Sequence, residues 1–321
     1  MNASNILRTT LASILIGVAS ISAAQSGKPI RIIVPFAPGG GQDILARSFN
    51  AELGAALGQP VIVEYRAGAG GGVGTAFVAK AEPDGNTLIM AAASHIISAV
   101  LTSKPAYHPI KDFTAVAHVG TGSQVLIINS EVPAKSVAEF VKYARANPGK
   151  LNYGSAGSGS STHLVMAFFV NASGLDIAHI PYKSNSDQTS ELMSGRIQAI
   201  MIPSIGAMAL VKEPRVTILA VTPSTRSIFF PQTPTIAESG YPGFNYGSWF
   251  GLLGPAGMPG AVTERINAAM ARLQKTPVIM ERLAKIGIEP LALSSPQFEK
   301  LLIEDLERVE RIVKISGAKV D

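Results

Sequence analysis

Cysteine is absent from the 321 residues. That excludes disulfides, thiolate metal sites and a thiol nucleophile. Charge is scarce as well, at 15% of residues against 47% hydrophobic. A disordered charged chain has the opposite balance. The low charge, with 31 glycines and 21 prolines, also excludes a coiled coil. No apolar run beyond the first 24 residues is long enough to span a bilayer, which takes about 18 residues or more. The net charge of +5 comes without a Lys/Arg cluster or a basic-aromatic stripe, so nothing points to nucleic acid. No repeat of a solenoid type occurs.

Catalytic signatures are missing too. His95, His108, His118, His163 and His179 show no HExxH or other chelating spacing, so no metal is expected. No G-x-S-x-G elbow is present. The glycine cluster 68–74 fits neither the P-loop nor the G-x-G-x-x-G spacing, and reads as a structural turn. No cofactor is expected. An exported Ser-dependent esterase with His163 as general base is the enzyme alternative.

What is present begins with a three-part leader. A short polar start with Arg8 precedes the apolar run Leu11 to Ile21, then Ser22-Ala23-Ala24. This is the pattern of a secretory signal cleaved near Ala24. The mature chain is therefore expected to be exported. The length suggests about two domains.

From Pro29 onward, strands and helices alternate. Ile30 to Pro35 reads as a strand. Residues 45, 49, 53 and 57 form one apolar face of a helix over 44–57. Strands follow at 61–63 and 87–92, the latter ending at Ser94-His95. A second batch runs from a strand at 125–129. Its helix over 136–146 starts at a capping box, Ser136 with Glu139. A strand at 151–153 and a helix over 163–172 come next. Further units follow: strand 177–180, helix 187–194, strand 197–202, a helical stretch near 206–212 and strand 216–221. Residues 259–286 read as helical with a break at Thr276-Pro277. A final helix covers 296–315. Two batches of alternating elements imply two α/β domains with mostly parallel sheets.

Ligands of open α/β sheets sit beyond the carboxyl ends of strands, near helix starts. Two such places stand out. The loop Phe36-Ala37-Pro38-Gly39-Gly40-Gly41-Gln42-Asp43 lets backbone N–H groups approach a ligand. The stretch Tyr153 to His163 interleaves Ser155, Ser158, Ser160, Ser161 and Thr162 with glycines before a helix. It is a polar cradle with donors for an anion. A plain turn and a solvated linker are the competing readings.

The chain resembles the solute receptors of tripartite tricarboxylate transporters, the TctC or Bug family. Matching stretches run in order along the whole chain after the leader: Lys28 to Gly40, Gly58 to Glu64, Arg66 to Gly71, Pro83-Asp84-Gly85, Pro148 to Tyr153, His179 to Lys183 and Trp249 to Pro255. The resemblance implies a two-domain periplasmic-binding-protein-like flytrap with two crossover strands, near 125–129 and 245–253. Domain one would be 25–125 with 246–321, and domain two 126–245. It implies a receptor, not an enzyme, working as a monomer and delivering a small organic acid to membrane permease subunits. A sensing role with a signalling partner is the alternative. The ligand carboxylate would be held, partly through water, by Phe36, Ala37, Pro38, Gly39, Gly40 and Asp43 on one side. Ser158, Gly159, Ser161, Thr162 and His163 would hold it on the other, with Ser94 and Ser204 nearby. No Arg clamp is implied. The chain departs from the family pattern at Gln42, Ser184 and Met201-Ile202-Pro203. The last change makes the cleft more apolar and favours an aromatic or partly apolar carboxylate over citrate.

Overall fold

The computed structural model describes residues 28–316. The expected signal segment, 1–24, lies outside the described residues. Strands β1 (Ile30–Val34), β2 (Val61–Tyr65) and β3 (Thr87–Ala92) alternate with helices α1 (Gly41–Leu57), α2 (Gly72–Ala79) and α3 (Ser94–Leu101). A long strand, β4 (Phe113–Asn129), then leads to α4 (Val137–Ala146), β5 (Asn152–Ser155), α5 (Ser161–Ser173) and β6 (Ala178–Pro181). Next come α6 (Asn185–Met193), β7 (Ala199–Pro203), the short α7 (Ser204–Ala207) and β8 (Val216–Val221). β9 (Gly247–Pro255) precedes α8 (Gly260–Leu273), α9 (Pro277–Lys285) and α10 (Ser295–Ser316).

The strands follow the order β2-β1-β3-β9-β4-β7-β5-β6, with β8 also on β4. β1 runs parallel to β2 and β3, and β5 parallel to β6 and β7. Every antiparallel pairing involves β4 or β9. These two are the crossing strands. β4 pairs with β9 as far as Ser123, then with β7 from Gln124 and with β8 from Val125. One strand thus serves two sheets. β1, β2, β3 and β9 join its first part in one lobe; β5 to β8 join its last part in the other. The second crossing is tied at Tyr246, whose N–H donates to the Thr222 carbonyl at 2.9 Å. The Thr222 hydroxyl donates back to the Tyr246 carbonyl at 2.6 Å. This is the two-domain α/β architecture of periplasmic binding proteins with its two crossover strands, as expected.

Local sequence explains most elements. Leu45, Phe49, Leu53 and Leu57 of α1 are all buried on one face. Each buried side chain of this kind contributes roughly 1.5–3 kcal/mol. β1 buries Ile30, Ile32 and Val34 on one face and Ile33 on the other, with Arg31 partly exposed, the pattern of a strand covered on both faces. Ser136 caps α4 by accepting the Glu139 N–H at 3.2 Å. The Glu139 carboxylate reaches back to the Lys135 N–H at 2.6 Å, one residue before the expected position. Pro277 sits in the first turn of α9, where its missing N–H costs nothing.

Three features differ from the sequence expectation. β4 begins at Phe113, well before Val125, because its first part mixes Thr, Ala, His and Gly and hides the strand pattern. α3 was not expected. It is only eight residues long and buried at all but Val100, with Ser94, His95 and Ser98 among the buried residues, so no apolar spacing repeats long enough to mark it. α1 and α5 start two or three residues earlier than their apolar faces suggest, since polar residues fill their first turns.

α10 lies across both lobes. Its apolar face, including Phe298, Leu302 and Val309, is buried. It packs against α3 in one lobe, α5 in the other, and β4 between them.

Candidate functional site

Four helices begin around one small cavity. Its wall includes Gln42 of α1, Ser94 of α3, Ser161 and Thr162 of α5, and Asn185 of α6. The first two helices belong to one lobe and the last two to the other. Phe36, Ala92, Ala93, Ala156, Pro203 and Phe250 add apolar wall. Ser160 and, from the crossing strands, Gln124 and Ser248 complete it. Among the described residues, no Asp, Glu, Lys or Arg lines this cavity.

Helix starts make such a place attractive to an anion. In α1 the Ile44 N–H is bonded to Gly40, and in α5 the Leu164 N–H to Ser160. The N–H groups before them have no intrahelical acceptor. In α5 the Ser160 hydroxyl takes one of these, the His163 N–H, at 3.2 Å. The remainder, with about half a positive charge at each helix start, suit a carboxylate. Uncharged, mostly buried walls strengthen that attraction.

The cavity itself holds only about 20 Å³, room for roughly one water. Ligand pockets usually measure about 300–1,000 Å³. The lobes therefore stand closed, and contacts across the cleft show it. The Ser186 hydroxyl donates to the Gly39 carbonyl at 3.3 Å. The Ser204 hydroxyl donates to the Gly287 carbonyl at 2.7 Å. A Cβ on Gly70 would lie 2.6 Å from the Ser158 carbonyl oxygen. The 68–74 glycines form a 3₁₀ turn over Ala69–Gly71 that runs into α2 from Gly72, and Gly70 receives the Ser158–Ser160 backbone from the other lobe.

The residues anticipated from sequence divide clearly. Phe36, Ser94, Ser161 and Thr162 reach the cavity wall. Thr162 also accepts the Ala156 N–H at 2.9 Å, which shapes the loop. Ala37, Pro38, Gly39 and Gly40 form the turn before α1, and Gly39 takes φ +79° there. Asp43 is buried beneath that turn. Its carboxylate accepts from the Gly39 N–H at 2.8 Å, Arg47 Nε at 2.7 Å and the Tyr65 hydroxyl at 2.9 Å. It holds the loop and does not line the cavity. Ser158 and Gly159 face Gly70. Ser204 makes its bond to Gly287 instead.

His163 stacks on His179 at 4.1 Å between ring centroids, and His179 on Tyr153 at 5.0 Å. Burial, then the neighbouring His163, lowers the His179 imidazole to about 4. His179 Nε2 and the Ser155 hydroxyl share a 2.6 Å hydrogen bond. Ser155 is fully buried and outside the cavity wall.

A larger cavity of about 610 Å³ lies toward α10, between β9 and the 223–229 loop. Trp249 lines it, while its neighbour Phe250 lines the small one. Successive strand residues face opposite sides, so the two cavities flank the crossing strands. The larger one mixes Arg226, Arg308 and Arg311 with Glu289, Glu304 and Asp305 and has no convergence of helix starts. The smaller cavity is the better site on chemistry, despite its size.

Residues 45–318 match the model of the tripartite tricarboxylate transporter family receptor, TctC. The chain belongs to this family. The chain is similar to protein BugT of Bordetella pertussis, with 31% identity over 96% of each chain. It is similar to a solved R. palustris protein with adipate, at 29% identity and TM-score 0.87, covering 93% of this chain and 99% of that one. It is also similar to MatC from Rhodopseudomonas palustris with bound malate, at 30% identity and TM-score 0.85, covering 91% and 99%. TctC receptors are periplasmic solute-binding proteins, not enzymes.

Sequence reasoning missed Ala92, Ala93, Gln124, Asn185, Ser248 and Phe250 in the wall, whereas Pro203 lies there as the end of the apolar stretch 201–203. Two signals were available for this TctC chain. Gln124 is a polar residue heading an apolar strand, and Asn185 follows Ser184, which caps α6 by accepting the Asp187 N–H at 3.1 Å.

Proposed function

We propose that the protein is a periplasmic receptor that closes its two lobes on a small, partly apolar organic carboxylate and delivers it to a tripartite tricarboxylate-type permease. The lobes divide near residues 125 and 245, where the chain crosses between them. The observation that carries the reading is the meeting of four helix starts, two from each lobe, at an uncharged cavity. A carboxylate there accepts N–H bonds from both lobes and so favours the closed state. Hydrogen bonds to a charged group contribute roughly 1.5–3 kcal/mol each. A handful, less several kcal/mol for association, gives an affinity around micromolar. Phe36 and Phe250 supply the apolar walls. Location in the periplasm rests on the leader pattern and on the family.

Calorimetry of the mature protein against aliphatic and aromatic carboxylates, sugars and cations tests this. Carboxylate binding that weakens about tenfold in Ser161→Ala supports it. Binding only to sugars or cations refutes it. Loss of uptake in cells lacking the receptor, restored by the gene, tests delivery.

A further inference from the structure

Each crossing strand gives the cavity one uncharged polar residue; Ser248 also borders the larger cavity, but it shares a strand face with Phe250 of the small one. Gln124 stands where β4 changes partners, and Ser248 is the second residue of β9. Gln124 is 1% exposed and Ser248 4%. Neither Gln124 Oε1 nor the Ser248 hydroxyl has a hydrogen-bond partner among the described residues. Buried polar atoms are nearly always paired, and leaving one unpaired is costly. Two in one cavity mark a group that the cavity is built to receive.

The surrounding bonds say which kind of group. Gln124 Nε2 donates to Ser161 Oγ at 3.3 Å. Ser161 opens α5, and its single proton is then free for the anion at that helix start. This relay leaves Gln124 Oε1 as an acceptor beside the carboxylate. Ser248 Oγ can accept or donate. What satisfies both is a donor a few ångströms from the carboxylate, carried by the ligand itself. An ammonium group is a donor too, but no Asp or Glu lines the cavity to balance it. The helix starts around the cavity carry positive partial charge, which repels an ammonium group. A neutral hydroxyl has no such penalty. Both residues also lie on the strands about which the lobes turn, so they keep their places when the cleft opens.

Building on the carboxylate reading above, we propose that Gln124 and Ser248 select a 2-hydroxy acid over both its deoxy and its 2-amino counterparts. Specificity then comes from the pivot of the molecule, and the helix starts supply the affinity for the carboxylate common to all three.

Calorimetry with matched acids tests this: lactate, propionate and alanine; malate, succinate and aspartate; mandelate, phenylacetate and phenylglycine. At least one hydroxy acid should bind about tenfold tighter, or more, than its deoxy and amino partners, because a site built around a hydroxyl rejects an analogue lacking it. In Ser248→Ala and in the nearly isosteric Gln124→Met the ratio of hydroxy to deoxy affinity should fall toward one. Unchanged thermal unfolding confirms that each variant is folded. The inference is overturned if the deoxy or amino acid binds as tightly as the hydroxy acid in every set, or if the preference survives in both variants. If no acid of any kind binds, the carboxylate reading itself falls, which is a different result from equal binding.

Discussion

Gly70 offers a direct test of closure. It sits in a turn with φ +61°, and a Cβ there would lie 2.6 Å from the Ser158 carbonyl oxygen, 2.9 Å from the Gly159 carbonyl carbon and 3.0 Å from the Ser160 nitrogen. All three are backbone atoms of the opposite lobe. Comfortable carbon contacts begin near 3.5 Å, so the lobes must part by roughly 1 Å to admit a methyl group. Gly70→Ala therefore acts in two ways. The left-handed backbone costs an L-residue about 1–2 kcal/mol, and this penalty is the same whether the cleft is open or shut. The collision exists only when it is shut. Ligand affinity feels only the second effect, because apparent affinity falls with the population of the competent state. A penalty of about 1.4 kcal/mol on closure gives tenfold weaker binding, and a larger overlap gives more. Gly58→Ala is the control, since Gly58 has φ +63° and nothing within 4 Å of its Cβ position. Calorimetry with the tightest acid found for the wild type should show at least tenfold weaker binding for Gly70→Ala and unchanged binding for Gly58→Ala. Small-angle scattering at saturating acid should give a larger radius of gyration for Gly70→Ala. Wild-type affinity and scattering in that variant refute the closure argument.

Three further outcomes are expected. Burial holds His95 at about 4, and burial with the nearby His163 holds His179 there too, against an ordinary 6.5. The unfolded chain takes up these protons below about pH 6.5 while the folded protein resists until about 4, so urea stability should be flat above 6.5 and fall between 6.5 and 4; a flat profile through that window contradicts the burial of these rings. Asp305, 3% exposed, accepts from Trp249 Nε1 at 2.6 Å and from Arg308 Nε at 3.0 Å. Asp305→Ala leaves the Arg308 charge without its partner and should cost about 3–5 kcal/mol in denaturant unfolding, whereas a loss under 1 kcal/mol shows that the bridge is not needed. Ser136→Ala removes the α4 cap and should cost about 1 kcal/mol by the same measurement, with no change in ligand affinity.

Elements with strong local grammar were legible in the chain. The 45-49-53-57 face, the Ser136–Glu139 cap and the Pro277 break each depend on residues a few positions apart. α3 and the first part of β4 were not legible, because α3 spans only about two turns and mixed composition hides the period of the strand. The site was legible in half. Glycines and hydroxyls before a helix announce free N–H groups, and Phe36, Ser94, Ser161 and Thr162 are indeed at the wall. Asp43 carries the same local signal as a ligand residue, yet Arg47 and Tyr65 turn its carboxylate inward, and only their placement by α1 and β2 shows this. Gln124 and Ser248 meet only because β4 and β9 cross side by side, with Gly122 opposite Ser248. No spacing in the chain records a meeting of that kind.

The protein has one tryptophan, and it stands on β9 at the crossing, with its indole N–H bound to Asp305 of α10. Any turn of one lobe against the other changes the electric field at that ring. Ultraviolet emission from this single native fluorophore should therefore follow occupancy of the cleft in real time. With no label attached and no second indole to blur the signal, the receptor can serve as its own optical sensor.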